Sequence, residues 1–211
     1  ALTAGLCSMG AKVIPLGVVP TPAVAYLTRY YKADAGVVIS ASHNPCEYNG
    51  IKFFNSDGYK LSDGIENEIE SYILGEKAIE ELPTHGKVGY VSANHNAVED
   101  YVAFAVSTID CRLDGMKIAV DCANGASYET AFKALNKLGA NVEAIHNTPD
   151  GVNINHMCGS THMESLQAYV TSIGADIGIA FDGDADRMLA VDENGKLIDG
   201  DQIMAACAKF M

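Results

Sequence analysis

The fold is decided by residues 176–191, which read Asp-Ile-Gly-Ile-Ala-Phe-Asp-Gly-Asp-Ala-Asp-Arg-Met-Leu-Ala-Val. Two apolar runs, 176–181 and 188–191, have the length of short strands. Between them lies the acidic loop, residues 182–187, with an aspartate at its first, third and fifth positions. This stretch predicts two strands that flank a loop able to bind a cation.

The same alternation of apolar runs and amphipathic stretches continues over the whole chain, and it is typical of layered α/β proteins. Five more strands are expected, over 12–19, 36–40, 51–54, 117–121 and 141–145. A helix is expected to begin at Pro20-Thr21-Pro22, with Thr21 as N-cap and Pro22 at the first helical position.

The length of 211 residues allows two domains of about 100 residues each. Between residues 76 and 96 the periodicity weakens, and proline and glycine interrupt it. We therefore predict a first domain over 1–94, a second over 95–198, and the beginning of a third over 199–211.

The composition excludes several classes of protein. Because 14 basic and 27 acidic residues give a formal net charge of −13, neither nucleic acid nor an anionic membrane is expected as a partner. No apolar run approaches the roughly 18 residues that span a bilayer, and no secretory signal pattern is present. Six cysteines without a Cys-x-x-Cys pair favour the reduced thiols of a cytoplasmic protein. Small anionic substrates stay compatible with this net charge, because they respond to the electrostatic potential of the site itself.

The acidic loop predicts a metal site. In an extended segment alternate side chains point the same way, so Asp182, Asp184 and Asp186 can converge on one point. Three carboxylates this close repel one another unless a cation lies among them. Oxygen ligands alone suit a hard cation such as Mg²⁺, which also keeps water or phosphate oxygens in its shell.

Other interpretations of these residues differ in strength. An EF-hand is excluded, because Arg187 stands where its turn needs glycine and a strand rather than a helix precedes the loop. A zinc site is not favoured, since His156, Cys158 and His162 match no common zinc spacing. On the acidic loop alone, a phosphatase with an aspartyl nucleophile and a non-catalytic cation-binding module both stay open.

The serine loop, residues 41–49, follows the strand expected over 36–40 and carries Ser42 and His43. A small nucleophile on a polar loop at a strand end is where α/β sheets place their chemistry. His43 could carry a proton, and Lys52 could offer a point charge to phosphate. By the residues alone, an ordinary surface loop stays an open alternative.

Two motifs together resemble those of the α-D-phosphohexomutases. Ala-Ser-His-Asn-Pro at 41–45, followed by Tyr-Asn-Gly-Ile-Lys at 48–52, resembles their phosphoserine loop. Asp-Gly-Asp-x-Asp-Arg at 182–187 resembles their magnesium loop, and the order and separation of the motifs also match. Three further stretches resemble the bacterial subgroup that acts on glucosamine phosphates more than the phosphomannomutases: 17–26, 120–126 and 153–162.

The resemblance implies two consecutive layered α/β domains with mixed sheets flanked by helices, the first two of four. It implies that Ser42 carries a phosphate and joins Asp182, Asp184 and Asp186 in binding one Mg²⁺. At Ala185, between these ligands, many relatives have glycine, and the metal site is expected to stay intact.

The resemblance also implies the reaction. Glucosamine 6-phosphate and glucosamine 1-phosphate would be interconverted through a bisphosphate, for UDP-N-acetylglucosamine and cell-wall synthesis, with a hexosamine or glucose 1,6-bisphosphate as activator. Lys52 would act in acid–base catalysis, His43 would assist or bind the phosphoserine, and Arg187 would orient phosphate or hydroxyl. Phosphomannomutase or phosphoglucomutase activity is the alternative.

Two further expectations concern the whole enzyme. Its third and fourth domains would supply sugar recognition, so the chain alone is expected to have little or no mutase activity. The full-length enzyme could form a homodimer.

Overall fold

The first part of the chain forms a small antiparallel sheet beside a helix. The computed structural model describes residues 1–79, 81–92 and 96–210. The elements of this part are α1 (Leu2–Ser8), α2 (Thr21–Tyr30), β1 (Ala35–Ser40), β2 (Gly50–Asn55) and α3 (Asp63–Ile73). β1 pairs antiparallel with β2, and Ser40 lies opposite Gly50. This register places the start of the serine loop next to the strand that carries Lys52.

The second part forms a mixed five-stranded sheet. Its elements are α4 (Ala97–Ser107), β3 (Lys117–Asp121), α5 (Thr130–Lys137), β4 (Asn141–Ile145), α6 (Glu164–Ile173), β5 (Ile177–Phe181), β6 (Met188–Asp192), β7 (Leu197–Ile198) and α7 (Gly200–Phe210). The strand order is β4-β3-β5-β6-β7. The first three strands are parallel, and β6 and β7 run antiparallel to their neighbours. The acidic loop connects β5 to β6.

Helices cover both faces of this sheet. Leu166 and Val170 of α6 are fully buried against one face, together with Ala119 of β3. On the other face, Ile118 and Val120 pack with residues near α5. Because both faces are covered, the central strands β3 and β5 are nearly continuous apolar runs, as is usual for parallel strands between helices.

Helix α2 packs against α4 and joins the two parts. Ala97 of α4 is buried in one cluster with Ala23, Val24 and Leu27 of α2. Beside this cluster the rings of Tyr26 and Phe104 stack with their centroids 3.8 Å apart. The contact fixes the start of α2 relative to the five-stranded sheet, and the site depends on that placement.

The strand expected over 12–19 is wrong. In the described residues of this segment, Val13 forms an isolated parallel bridge with Val91 and no strand is present. Pro15 has no N–H to donate, and Gly17 adopts a φ of 76°, so the segment cannot continue a hydrogen-bonded ladder.

Helix α2 begins at the expected place, but Thr21 is not its N-cap. Pro20 takes the N-cap position, and Thr21 is the first helical residue. The expected domain boundary cannot be compared directly, because Asn94 lies outside the described residues. The division into 1–94, 95–198 and 199–211 stays a prediction. Among the residues that the structure describes, no helix is both long and apolar enough to cross a membrane.

Candidate active site

The serine loop holds Ser42 in an uncommon backbone conformation. Ser42 has a φ of 54°, the left-handed region that residues with a side chain rarely adopt. Its N–H donates to the Ser40 hydroxyl at 2.8 Å, and the N–H of Asn44 donates to the Ala41 carbonyl at 2.9 Å. These bonds form a tight turn at the end of β1.

The acidic loop buries two of its three aspartates. Asp182 and Asp184 are 0% and 2% exposed, whereas Asp186 is exposed. One oxygen from each carboxylate lies within 4.8 Å of the other two. The convergence predicted from the alternating spacing is therefore observed.

Arg187 connects the acidic loop to the serine loop. Its Nε donates to Asp182 Oδ2 at 3.2 Å, and its Nη2 donates to Ser42 Oγ at 3.3 Å. The same Nη2 also donates to His43 Nδ1. Three other residues predicted for the site thus meet around the Arg187 guanidinium group.

Lys52 reaches the aspartates from the neighbouring strand. Its Nζ donates to Asp184 Oδ2 at 2.7 Å and lies 3.6 Å from Asp186 Oδ2. Partial burial alone would lower the pKa of Lys52, but the hydrogen bond and charge of Asp184 outweigh it and raise this pKa. Lys52 is therefore an ammonium at neutral pH.

The two buried aspartates differ in proton affinity. Burial raises the pKa of Asp182, and the nearby charges of Asp184 and Asp186 add to the effect against the hydrogen bond from Arg187. Burial also opposes ionisation of Asp184. There, however, the hydrogen bonds from Lys52 and Thr21, together with the charge of Lys52, prevail and lower the pKa. Of the two buried carboxylates, Asp184 is therefore the one held more firmly in its charged form.

The acidic loop fits a divalent cation. Asp184 Oδ1 is buried and has no hydrogen-bond partner, although its other oxygen has two. A buried carboxylate oxygen without a partner is costly unless a further group binds it. Carboxylate oxygens that converge within 4.8 Å form a ligand set that suits Mg²⁺.

A second cluster of possible metal ligands differs from the acidic loop in its hydrogen bonding. Asp121, His146 and Cys158 also bring ligand atoms within 4.8 Å of one another. Here both carboxylate oxygens of Asp121 are already bonded, to the Ala123 N–H at 2.8 Å and to His146 Nδ1 at 2.9 Å. Burial raises the pKa of Cys158 to about 11, so its thiol stays protonated. The hydrogen bond between Asp121 and His146 connects the ends of β3 and β4.

Two residues of the site escaped the sequence prediction. The Thr21 hydroxyl donates to Asp184 Oδ2 at 2.7 Å, and its N–H donates to the Asp184 carbonyl at 2.9 Å. Asn155 Nδ2 donates to the Ser42 and Asn44 carbonyls, both at 2.8 Å. Thr21 resembles an ordinary helix cap in sequence, and Asn155 gives no local signal of its role.

Ala185 occupies a position that favours glycine. Its φ is 54°, which an alanine adopts only at a cost in energy. Glycine would adopt this conformation without strain. The Ala185 N–H still donates to the Asp182 carbonyl at 3.0 Å, so the turn of the acidic loop is formed.

Known families match both parts of the chain. Residues 1–80 match phosphoglucomutase/phosphomannomutase, alpha/beta/alpha domain I, and residues 97–195 match alpha/beta/alpha domain II of the same family. The chain belongs to the phosphoglucomutase/phosphomannomutase family. Phosphoglucosamine mutase from Acetivibrio thermocellus is 63% identical to it over 204 residues, which cover 97% of this chain and 45% of that protein. The chain spans about half the length of the curated relatives that it matches.

Solved structures of phosphoglucomutase/phosphomannomutase proteins share this fold. A family protein from Burkholderia thailandensis has a TM-score of 0.81 at 28% identity, over 99% of this chain and 46% of that chain. A variant N-acetylphosphoglucosamine mutase from Aspergillus fumigatus, in complex with glucose 1,6-bisphosphate, has a TM-score of 0.54 at 18% identity, over 90% of this chain and 51% of that chain. At the latter identity the likeness concerns the fold alone. The expected fold class, consecutive layered α/β domains of a phosphohexomutase, is confirmed.

Proposed function

We propose that this chain supplies the phosphoserine and the metal-binding loop of a phosphoglucosamine mutase. The observation that carries the proposal is the position of Arg187, which bonds Asp182 through Nε and Ser42 through Nη2. A nucleophile from one part of the chain and a cation site from the other thereby belong to one site. Relatives about 60% identical over nearly the whole chain are named phosphoglucosamine mutase, which favours glucosamine phosphate as substrate.

In the proposed reaction Ser42 exchanges a phosphoryl group with the sugar. The 1-hydroxyl oxygen of glucosamine 6-phosphate bonds to the phosphorus on Ser42 while the bond from phosphorus to Oγ breaks. The hydroxyl proton passes overall to Oγ. The resulting 1,6-bisphosphate turns round, its 6-phosphate transfers to Ser42 by the reverse step, and glucosamine 1-phosphate leaves. A hexosamine or glucose 1,6-bisphosphate would load Ser42 initially.

Charge stabilisation in this site comes from several groups. Asp182, Asp184 and Asp186 would hold one Mg²⁺, together with an oxygen of the phosphate on Ser42. When bound, the cation neutralises charge on the transferring group. Arg187 adds a fixed cation beside Oγ, where it orients the phosphate and limits its rotation.

Lys52 is the proposed proton carrier, and His43 is proposed to assist. Because its pKa is raised, Lys52 acts first as an acid, which protonates Oγ as the phosphoryl group leaves. His43 accepts a hydrogen bond from Arg187 at Nδ1, so it assists by holding that guanidinium against the phosphate.

The competing functions are weakened by the same contacts. An aspartyl phosphatase would not use Ser42 and leaves its contact with Arg187 unexplained. A non-catalytic cation module does not explain why Arg187 reaches Ser42 and His43. A phosphomannomutase or phosphoglucomutase has the same chemistry, and the substrate tests below separate them.

The deciding experiment follows the phosphate. The full-length protein, meaning the polypeptide that contains this chain with its adjoining sequence, is incubated with labelled glucose 1,6-bisphosphate, and the labelled residue is mapped. We expect the label on Ser42, its loss in Ser42→Ala, and its retention in Ser56→Ala, which changes an exposed serine in the turn after β2. Label on Asp182 or Asp184 would instead identify a phosphatase, and no label would leave the cation module.

Turnover then tests the substrate. We expect the full-length protein to convert glucosamine 6-phosphate with a higher kcat/KM than mannose 6-phosphate or glucose 6-phosphate. The 211-residue chain alone is expected to show little or no turnover, and robust turnover by it would contradict that expectation. The cytoplasmic location and the homodimer stay predictions.

A further inference from the structure

Asn155 forms a bridge between the two parts of the site. It lies on the loop between β4 and α6, and its side-chain Nδ2 donates to the main-chain carbonyls of Ser42 and Asn44 at 2.8 Å each. Both hydrogens of the amide are therefore used on the serine loop. Asn155 touches the backbone on either side of His43 and contacts none of the groups proposed to react.

The Ser42 backbone needs such support. A left-handed conformation at a residue with a side chain persists only where its surroundings determine it. The Ser40 hydroxyl fixes the N–H of Ser42, and Asn155 fixes its carbonyl. With both ends of the residue held, the direction of the Ser42 side chain is set.

Asn155 is itself held firmly. It is 7% exposed, and its N–H donates to the Ala123 carbonyl at 2.9 Å. A Cβ built on Gly183 of the acidic loop would lie 2.7 Å from Asn155 Nδ2 and 2.5 Å from the Ser42 carbonyl oxygen. The amide of Asn155, the Ser42 carbonyl and Gly183 are thus packed against one another, and we name this contact the seam.

The amide can face only one way. Turning it over would point Oδ1 at two carbonyl oxygens, where it could only repel them. In the observed orientation Oδ1 is buried without a partner, and the two bonds to the serine loop offset this cost. The site therefore requires a donor of this shape rather than a polar side chain in general.

We infer that Asn155 is a positioning residue for phosphoryl transfer, which sets the distance and direction between Ser42 and the aspartates through the serine-loop backbone. This inference rests on the proposed function. Since a misplacement of about 1 Å can reduce a reaction roughly 100-fold, a residue that never touches the substrate can control the rate. Its loss should lower the rate of transfer and leave the binding of sugar and cation nearly unchanged.

The test compares Asn155→Asp with Asn153→Asp in the full-length protein. The carboxylate that Asn155→Asp introduces has the same size as the amide but no donor, and it places a negative charge against two carbonyl oxygens. Asn153 lies on the same loop, but its side chain donates to the Thr148 carbonyl within that loop at 3.0 Å. The measurements are the rate of Ser42 phosphorylation by glucose 1,6-bisphosphate, the KM for the sugar, Mn²⁺ affinity and the thermal midpoint.

For Asn155→Asp we expect phosphorylation of Ser42 to slow by about 100-fold, with KM and Mn²⁺ affinity changed by no more than about threefold. Asn153→Asp is expected to keep the wild-type rate within about threefold. Should Asn155→Asp fail to fold, Asn155→Ser removes the reach to both carbonyls without adding charge. It should give the same separation of rate from binding.

Two results would overturn the inference, and they are distinguishable. If wild-type protein takes phosphate on Ser42 and folded Asn155→Asp does so at the same rate, Asn155 has no positioning role. The inference also fails if the rate falls only in step with Mn²⁺ affinity, because Asn155 would then act on the cation site. If the wild-type protein itself takes no phosphate on Ser42, the proposed function falls first and the inference with it.

Discussion

Replacing Gly183 by alanine tests how closely the serine loop and the acidic loop must approach each other. The added Cβ would lie 2.5 Å from the Ser42 carbonyl oxygen and 2.7 Å from both Asn155 Nδ2 and Ile154 Cδ1. The φ of Gly183 is not in the left-handed region, so alanine is acceptable to the backbone itself. The whole effect should therefore come from the contact across the seam.

The size of the effect follows from these distances. To reach an ordinary contact of 3.4 Å, the Ser42 carbonyl must move away from its 2.5 Å position by about 0.9 Å. Forcing one methyl group into a packed contact costs about 1–3 kcal/mol of stability. A displacement of about 1 Å between nucleophile and cation site should also slow phosphoryl transfer roughly 100-fold.

The assay pairs Gly183→Ala with Gly64→Ala in the full-length protein. Gly64 lies in α3 with no atom within 4 Å of a built Cβ, so the same chemical change should leave stability unchanged or raise it by up to about 1 kcal/mol. Urea unfolding gives the free energy of unfolding, and the rate of Ser42 phosphorylation gives the effect on transfer. A double variant with Asn155→Asp should lose less than the sum of the two single losses, because both act at the seam.

Three results would contradict this reasoning. If Gly183→Ala matches wild type in both stability and phosphorylation rate, the two loops are not pressed together as the distances indicate. If stability falls while the rate is kept, the loops touch but their spacing does not control transfer. Additive losses in the double variant would show that Gly183 and Asn155 act separately.

Three further predictions concern other single residues. Thr21→Val removes a buried hydrogen bond to the charged Asp184 and should lower the free energy of unfolding in urea by about 1.5–3 kcal/mol. Its control, Thr28→Val on the same helix, loses a bond to a neutral carbonyl and should lower it by about 0.5–1.5 kcal/mol. Hydrogen bonds from two lysines lower the pKa of Glu99 from 4.5 to about 2. Because the pKa of Glu99 is lower in the folded than in the unfolded protein, its stabilisation is present above pH 4.5 and is lost as pH falls towards 2. The free energy of unfolding of Glu99→Gln should therefore be lower than that of wild type at pH 7 and close to it near pH 2. Ala185→Gly should raise the free energy of unfolding by up to about 1 kcal/mol, since glycine adopts the left-handed conformation without strain, and a lower value would contradict this reasoning.

The five-stranded sheet was the most predictable part of the fold. The strands expected over 117–121 and 141–145 have the bounds of β3 and β4. β3 is buried on both faces and appears in the sequence as a short apolar run. β4 lies at the edge of the sheet, exposes Asn141 and Glu143, and alternates polar and apolar residues. Both patterns are recognisable in the sequence alone.

The first part was predicted less well, for a local reason. The apolar run over 12–19 has the composition of a strand, but two interruptions within it prevent a ladder. Composition responds to burial, and Val19 is indeed buried against α2. A buried apolar segment need not be hydrogen-bonded as a strand, and the sequence pattern does not separate these cases.

Only those parts of the candidate site that lie within one loop were predictable from the sequence. The spacing of Asp182, Asp184 and Asp186 indicates convergence, because three residues of one loop are related by backbone geometry alone. Ser42 was identified through resemblance, and by the residues alone it was a weak candidate. The contacts of Thr21 and Asn155 depend on how distant segments pack, and no short-range pattern records such a contact.

Strained backbone and functional contacts coincide at this edge of the molecule. Ser42, Ala185 and Asn155 all have a φ between 54° and 58°. This conformation costs serine or alanine about 1–2 kcal/mol, and asparagine adopts it more readily. All three lie where the serine loop, the acidic loop and the β4–α6 loop meet, and each is held by a hydrogen bond to one of these loops or across them. The packing of α2, α4 and the five-stranded sheet supplies the stability that offsets this strain. A change that loosens the α2–α4 contact should therefore affect the site before it affects the sheet, because the strained residues are the first to relax.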